Sequence, residues 1–253
     1  MDLCELCSRL DTRLRTTAYA DLDASANGLQ VGPREQEIER AAFAVDGAVA
    51  TIERAAAFDA DLLLVHHGLS WGGFERVTGQ DYDRIAPLIE DDIALYVSHL
   101  PLDGHQELGN AAGLADHLAL DDRVPFGTLG SEHIGQRGRL STPLATEKLA
   151  KRLTTLEGES EVQTLPFGPE TIEDVAIVTG SGVDWLDEAR AAGVDAFITG
   201  EGKQQAYHEA REAGINVYLA GHYATETFGV RALKTLVEEW GIETTYISHP
   251  TGL

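Results

Sequence analysis

Three consecutive segments near the start of the chain constrain its fold most strongly. Residues 41–47 (AAFAVDG) and 61–65 (DLLLV) are short apolar runs typical of buried strands, and residues 48–58 between them have helical periodicity. Two strands joined by a helix at this spacing indicate a parallel βαβ unit. We therefore expect an α/β fold in which ligands bind at the carboxyl ends of the strands.

The second half of the chain repeats this pattern. Residues 42–68 align without a gap with residues 176–202, and the next strand, IALYVSH, pairs with INVYLAGH. A duplicated unit predicts two similar α/β domains, which we place at residues 1–123 and 124–253, with the C-terminal segment packing back on the first. The alternative is chance similarity between two Ala- and Val-rich segments, and the matching polar residues at the strand ends argue against it.

Histidines and carboxylates come directly after the predicted strands of both halves. Because the carboxyl ends of parallel strands meet at one edge of a sheet, we expect these side chains to converge in the cleft between the two domains. Imidazole and carboxylate together suit zinc, manganese, iron, cobalt or nickel. The predicted metal ligands are His66, His67, Asp103, His222 and Glu226.

The adjacent histidines predict two metal ions per chain. Neighbouring strand residues point in different directions, so His66 and His67 are expected to bind different ions, with a carboxylate and a water bridging them. Each residue taken alone has an ordinary interpretation. Adjacent histidines are common in loops, His222 with Glu226 suits an ion pair at a helix start, and Asp103 suits a turn.

Five segments resemble the family named for NGG-one-interacting factor three, whose members are also called GTP cyclohydrolase 1 type 2 homologues. The segments are NGLQVG (27–32), VHHG (65–68), HLPLDGHQELGN (99–110), DAFITGE (195–201) and AGHYATETFGVRAL (220–233). They span almost the whole chain in the family's order, in its short form without an inserted domain. The resemblance implies a dinuclear metal site between two α/β domains, a ring-shaped homohexamer, and the five ligands named above.

The same resemblance implies residues beside the metals. By motif match, Glu201 and His208 are candidate catalytic or substrate-side residues, and His99 is a candidate supporting residue behind the ligands. Glu201 also occupies the position of His67 in the internal repeat, which places it at the cleft.

Two functions from different classes fit this set of residues. The first is a metal-dependent hydrolase of the GTP cyclohydrolase 1 type 2 kind, in which a water activated by the metals attacks a small, nucleotide-derived substrate. The second is a non-enzymatic metal-binding adaptor or regulatory protein, which the family's naming suggests. Five protein ligands for two ions leave positions open to water, and this favours the enzyme.

Two further motifs predict no chemistry. The loop VTGSGVDW holds Gly180 and Gly182 between a strand and a helix, but it lacks the third glycine of a dinucleotide site and the lysine of a phosphate loop. We interpret it as a tight turn. Cys4 and Cys7 lie in the opening helix, predicted over residues 3–16, with no other cysteines to complete a metal site.

The composition excludes some partners and favours a particular environment. The formal net charge of the 253-residue chain is −23, and the acids are spread along its whole length. Such a surface repels nucleic acid, and no apolar run is long enough to cross a bilayer. The start has no signal-peptide pattern, so we expect a cytoplasmic protein. An excess of acids this large, with four lysines, is typical of halophilic proteins.

We predict that the protein unfolds or dissociates at low ionic strength. The charge of −23 repels itself, and salt screens that repulsion. Thermal melts across a series of potassium chloride concentrations should show a melting temperature that rises with salt. A melting temperature independent of salt would contradict the halophilic interpretation.

Overall fold

The computed structural model describes residues 1–158 and 161–253 as a mixed α/β protein. Its helices are α1 Leu3–Leu14, α2 Val49–Ala57, α3 Gln80–Glu90, α4 Leu100–Asp103, α5 Asn110–His117, α6 Thr146–Leu153, α7 Leu186–Ala192, α8 Ala206–Ala213, α9 His222–Thr225 and α10 Thr227–Glu239. Its strands are β1 Gly28–Val31, β2 Arg40–Asp46, β3 Leu62–His67, β4 Ala94–Val97, β5 Leu120–Leu129, β6 Glu132–Ala145, β7 Gln163–Pro166, β8 Thr171–Ile177, β9 Ala196–Thr199, β10 Asn216–Leu219 and β11 Glu243–Tyr246.

The chain forms two compact units whose limits differ from the predicted division at residues 123 and 124. The first unit comprises Met1–Leu102 and Gly229–His249, and the second comprises Asp103–Phe228 and Pro250–Leu253. Helix α5 precedes the predicted boundary but packs in the core of the second unit through Leu114, among others, which moves the boundary towards the N-terminus.

The first unit is built on a sheet with the strand order β1-β4-β3-β2-β11. Strands β4, β3, β2 and β11 run parallel, and β1 is antiparallel to β4. The apolar residues of β3 are fully buried, as expected for a parallel strand with both faces covered. Its core includes Ile52 of α2 and Leu88 of α3, packed against Leu63 and Leu95 of the sheet.

The second unit has a sheet with the order β5-β6-β8-β9-β10-β7. The central strands β8, β9 and β10 are parallel, whereas β6 and β7 pair antiparallel with β8 and β10. Helix α5 and helix α6 pack on this sheet, with Leu114 and Leu149 among the buried residues next to Ile177 and Ile198.

The two units repeat one structural element in atomic detail. In the first unit, Asp61 Oδ2 accepts hydrogen bonds from the backbone N–H groups of Glu39 and Arg40, at 2.8 and 2.9 Å. In the second unit, Asp195 Oδ2 accepts hydrogen bonds from Glu173 and Asp174, at 2.8 and 3.0 Å. The participants match one for one in the register of the sequence repeat. Each aspartate therefore ties the segment just before one parallel strand to the backbone of the neighbouring strand.

Several elements differ from the sequence-based expectation. The first histidine strand extends beyond residue 65, because His66 and His67 are themselves residues of β3 and His67 pairs with Asp46 of β2. Strands β1, β5 and β7 were not predicted. They lie at sheet edges, where a strand has one neighbour and needs no continuous apolar run.

Gly109 holds the cap position of α5, and Asn110 is the first residue of that helix, fully buried.

Among the described residues, no helix combines the length and the apolar character needed to span a bilayer.

We predict that Asp61→Ala and Asp195→Ala destabilise the protein by similar amounts. Each variant leaves two backbone donors without their charged acceptor, which should cost about 2 kcal/mol. Urea unfolding at high salt measures the loss. Glu53→Ala removes the same charge from an exposed position of α2 and is the control. A loss for Asp61→Ala that is absent for Asp195→Ala would contradict an equivalent role in the two units.

Candidate metal centre

Three histidines of the first unit lie together at the carboxyl ends of β3 and β4. His66 and His67 end β3, and His99 follows β4. Ligand atoms of the three rings lie within 4.8 Å of one another, and the ring centroid of His66 is 4.6 Å from that of His67 and 5.1 Å from that of His99. We call these three residues the histidine group.

Each member of the histidine group has its Nδ1 atom held by a protein oxygen. His66 Nδ1 lies 2.9 Å from the backbone carbonyl oxygen of Ser98. His67 Nδ1 lies 2.8 Å from Asp46 Oδ1, and His99 Nδ1 lies 2.9 Å from Asp23 Oδ1. A neutral imidazole that donates its Nδ1–H carries its lone pair on Nε2. An oxygen acceptor behind the ring is the usual arrangement of histidines that bind metal through Nε2.

Asp23 is the more deeply buried of the two carboxylates behind the rings, with a side chain that is 2% exposed. Burial alone would raise the pKa of Asp23, but the hydrogen bond with His99 and the charge of that ring outweigh it, so the pKa is lowered. Asp23 Oδ2 also accepts hydrogen bonds from the Asn27 side chain and the Leu100 backbone. The carboxylate is therefore ionised and fixed in place behind His99.

A second set of ligand types lies in the second unit. Helix α9 is a single turn, and it places His222 and Glu226 at helical spacing. His222 Nε2 lies 3.2 Å from Glu226 Oε2, and His222 Nδ1 lies 3.3 Å from Glu201 Oε1. The side chain of Glu226 is 4% exposed, whereas that of Glu201 is half exposed. The imidazole of His222 therefore lies between two carboxylates.

The carboxylates set the charge of His222. Burial would lower the pKa of His222, but the hydrogen bond and charge of Glu226, joined by Glu201, raise that pKa to about 9. The imidazole of His222 is therefore protonated at neutral pH, and its positive charge lies beside the carboxylate of Glu226. The Ser181 hydroxyl donates a hydrogen bond to Glu201 and lowers the pKa of Glu201, so this carboxylate is ionised.

Asp103 is a further buried carboxylate of the second unit. Its Oδ1 accepts hydrogen bonds from Asn110 Nδ2 at 2.8 Å and from Thr179 Oγ1 at 3.3 Å. A carboxylate oxygen of Asp103 lies within 4.8 Å of one of Glu226. Two carboxylates this close repel each other unless a proton or a cation is present, so the pair suits a cation site. We call Asp103, His222 and Glu226 the carboxylate group.

Gly180 makes room for the carboxylate group. A Cβ atom at this position would lie 2.1 Å from Glu226 Oε1 and 3.1 Å from His222 Nε2. The backbone also has φ +58°, a left-handed conformation that favours glycine. The sequence predicted a tight turn here, and the structure adds that the missing side chain is required for Glu226 to reach its position.

The donor atoms of the two groups fit a borderline divalent metal. Imidazole nitrogens with fixed tautomers and hydrogen-bonded carboxylate oxygens are the ligands of zinc, manganese, iron, cobalt and nickel sites. The candidate ligands within the first unit are imidazole nitrogens, and those within the second unit are two carboxylates and one imidazole.

The remaining predicted site residues have different surroundings. His99, predicted to lie behind the ligands, is a full member of the histidine group. Glu201 contacts His222 and Ser181. His208 lies on the exposed side of α8, with its ring packed edge-on against Tyr207 at 5.4 Å. Its predicted role beside the metals stays a prediction.

Sequence reasoning missed the residues behind the rings. Asp46 ends strand β2, so the rule that drew attention to the other strand ends could have found it. Asp23 lies in an irregular segment between α1 and β1, and Ser181 lies in the loop that we interpreted as a tight turn. Neither has a periodicity or motif that signals its role.

Comparisons with known proteins point to one family. The sequence model of the family Duf34/NIF3 (NGG1p interacting factor 3) matches residues 1–251. The chain is 58% identical over 255 residues to the GTP cyclohydrolase 1 type 2 homolog of Halobacterium salinarum, with 100% of both proteins covered. It is 41% identical over 254 residues to the protein of the same name from Archaeoglobus fulgidus, again with 100% of both covered.

A solved structure has the same fold. The crystal structure of the protein TTHA1606 from Thermus thermophilus matches with a TM-score of 0.91 and 37% identity, covering 100% of both chains.

We predict that Gly180→Ala weakens metal binding more than its backbone strain explains. The new methyl group must displace the Glu226 carboxylate. Gly193→Ala is the matched control, since Gly193 has φ +69° and its Cβ would meet no atom within 4 Å. Both variants should lose roughly 1 kcal/mol of stability from the left-handed backbone. Titration with zinc or manganese should show weaker binding only for Gly180→Ala, and equal metal affinities would contradict the prediction.

Proposed function

Because the chain belongs to the Duf34/NIF3 family, we propose that it binds two divalent metal ions and acts as a metal-dependent hydrolase of the GTP cyclohydrolase 1 type 2 kind. The substrate would be a small, nucleotide-derived molecule, in keeping with the names of its relatives. The observation that carries the proposal is the histidine group, in which every ring has its Nδ1 held by an oxygen.

The proposed ligands are the five residues that the sequence predicts. His66 and His67 would each bind a different ion through Nε2, since they are adjacent residues of one strand. Asp103, His222 and Glu226 would complete the two coordination spheres, and His99 is a candidate additional ligand. Supporting this assignment, the carboxylate group carries buried negative charge that a cation would neutralise.

Bound divalent ions would lower the pKa of a water molecule and polarise the bond under attack. The chain's own residues prepare the site for that chemistry. Asp46 and Asp23 keep His67 and His99 in the tautomer that directs Nε2 outward. Asn110 and Thr179 hold the Asp103 carboxylate through one oxygen.

Glu201 fits a role as a positioning residue or a proton acceptor better than one as an acid. Its lowered pKa means that it carries no proton to donate near neutral pH, whereas its contact with His222 Nδ1 orients that ring. Protonation of a leaving nitrogen then needs another group, and His208 stays our candidate for it. A homohexameric assembly and a cytoplasmic location stay predictions from the family resemblance and the sequence.

We predict that the metal-replete protein contains two metal ions per chain and hydrolyses GTP only when they are present. Chelation should abolish activity, and a divalent metal should restore it. Glu226→Gln and Asp103→Asn should lower the metal content to one ion or less while the far-ultraviolet circular dichroism is retained, because each change removes a charged ligand. Elemental analysis and a coupled assay for released product measure both effects.

Three substitutions serve as controls for this experiment. Cys4→Ala, Cys7→Ala and Ser70→Ala should retain both metal and activity, since no side-chain nucleophile is proposed. Glu201→Gln should slow turnover more than it lowers metal content, which separates a positioning role from a ligand role.

Full metal loading without hydrolysis of GTP or other nucleotides would favour the metal-binding adaptor. Activity in metal-free protein would refute the hydrolytic mechanism.

A further inference from the structure

Trp71 presents a large aromatic surface to solvent beside the histidine group. Its side chain is 47% exposed, although tryptophan is usually well buried. The indole centroid lies 4.9 Å from the ring of His99, in an edge-on arrangement, and 6.3 Å from the ring of His67. The metal chemistry proposed above gives this side chain no role.

The backbone around Trp71 is held in place even though the side chain is exposed. The Ser70 carbonyl accepts a hydrogen bond from the Ala26 N–H at 3.1 Å, and the Gly72 N–H donates to the Ala24 carbonyl at 2.8 Å. These bonds flank the tryptophan on both sides and form a bridge between Ser25 and Trp71. The backbone that carries the exposed indole is therefore fixed relative to the rings next to it.

The two residues that follow Trp71 have open space around them. Trp71 is followed by Gly72 and Gly73, and a Cβ atom added at either glycine would meet no atom within 4 Å. Phe74, the next residue, is 38% exposed. An exposed indole next to candidate metal ligands, followed by two unobstructed glycines, is suited to hold a flat molecule.

We propose that Trp71 is a stacking platform for a planar heteroaromatic ring of the substrate, such as a purine. This inference rests on the proposed function, because it places that ring beside the residues assigned to the metals. Aromatic side chains bind nucleobases by stacking without requiring a particular hydrogen-bond pattern. Stacking on an aromatic side chain does not depend on the sign of the surface charge, so it is compatible with the net charge of −23.

Binding of nucleosides to Trp71 variants tests this inference. Equilibrium dialysis would measure guanosine, adenosine and ribose 5-phosphate, the last as a probe without a ring, against metal-loaded and chelated protein. Trp71→Ala should weaken guanosine binding roughly tenfold, a change typical of losing one stacking partner, and Trp71→Phe should keep most of the affinity. Val77→Ala is the control, since it removes exposed apolar surface from the same loop without removing a ring.

Three results would overturn the inference. One is equal guanosine affinity in the wild type and Trp71→Ala. Another is a chelated wild type that binds guanosine no better than ribose 5-phosphate. The third is a loss of guanosine affinity in Trp71→Ala that accompanies a loss of bound metal and does not occur in chelated protein. Trp71 would then act by supporting His99.

The same measurements separate this inference from the proposed hydrolase. Guanosine binding that depends on Trp71, in a protein that turns over no nucleotide, would support the stacking platform and refute the hydrolase. Metal-dependent turnover with an unchanged KM in Trp71→Ala would support the hydrolase and refute the platform.

Discussion

The hydrogen bond between the His66 ring and the Ser98 carbonyl makes the orientation of a candidate metal ligand depend on the pairing of strands β3 and β4. His66 is fully buried, so its polar ring requires partners that replace water. Ser98 can provide one because strands β3 and β4 pair in parallel, and the Ser98 N–H continues their ladder by donating to the Val65 carbonyl at 3.0 Å. The carbonyl of that same residue then accepts from His66 Nδ1. A shift in the register of β4 would therefore remove the group that fixes the tautomer of His66.

The internal repeat shows how one framework acquired two different sets of side chains. Asp61 and Asp195, which precede β3 and β9, make matching contacts with the neighbouring parallel strand in both units. At the opposite ends of the same strands the residues differ. Asp46, which holds His67, corresponds to Gly180, whose missing side chain makes room for Glu226. The repeat kept the contacts that set the framework, whereas the residues at the strand ends differ between the two units.

The carboxylate group combines buried charges of opposite sign around α9. His222 lies between Glu201 and Glu226, and the two carboxylates raise its pKa to about 9 although burial opposes this. Two buried carboxylates that require a positive charge contribute little to the stability of the fold, because apolar side chains of similar volume would stabilise it as well or better. The arrangement is reasonable where cation binding is the function, and the half-exposed Glu201 with its donor Ser181 keeps the imidazole oriented for it.

The α/β class, the duplicated strand–helix–strand unit and the candidate ligands at the strand ends could all be predicted from the order of residues alone. They follow from short-range information, because buried parallel strands need apolar runs and the strand ends expose whatever residue comes next. The edge strands β1, β5 and β7, the limits of the two units, and the aspartates behind His67 and His99 emerged only from the folded chain. Those features depend on which segments meet in space. Asp23 is distant in sequence from His99, and no local pattern records the burial and hydrogen bonding that make its carboxylate the partner of that ring.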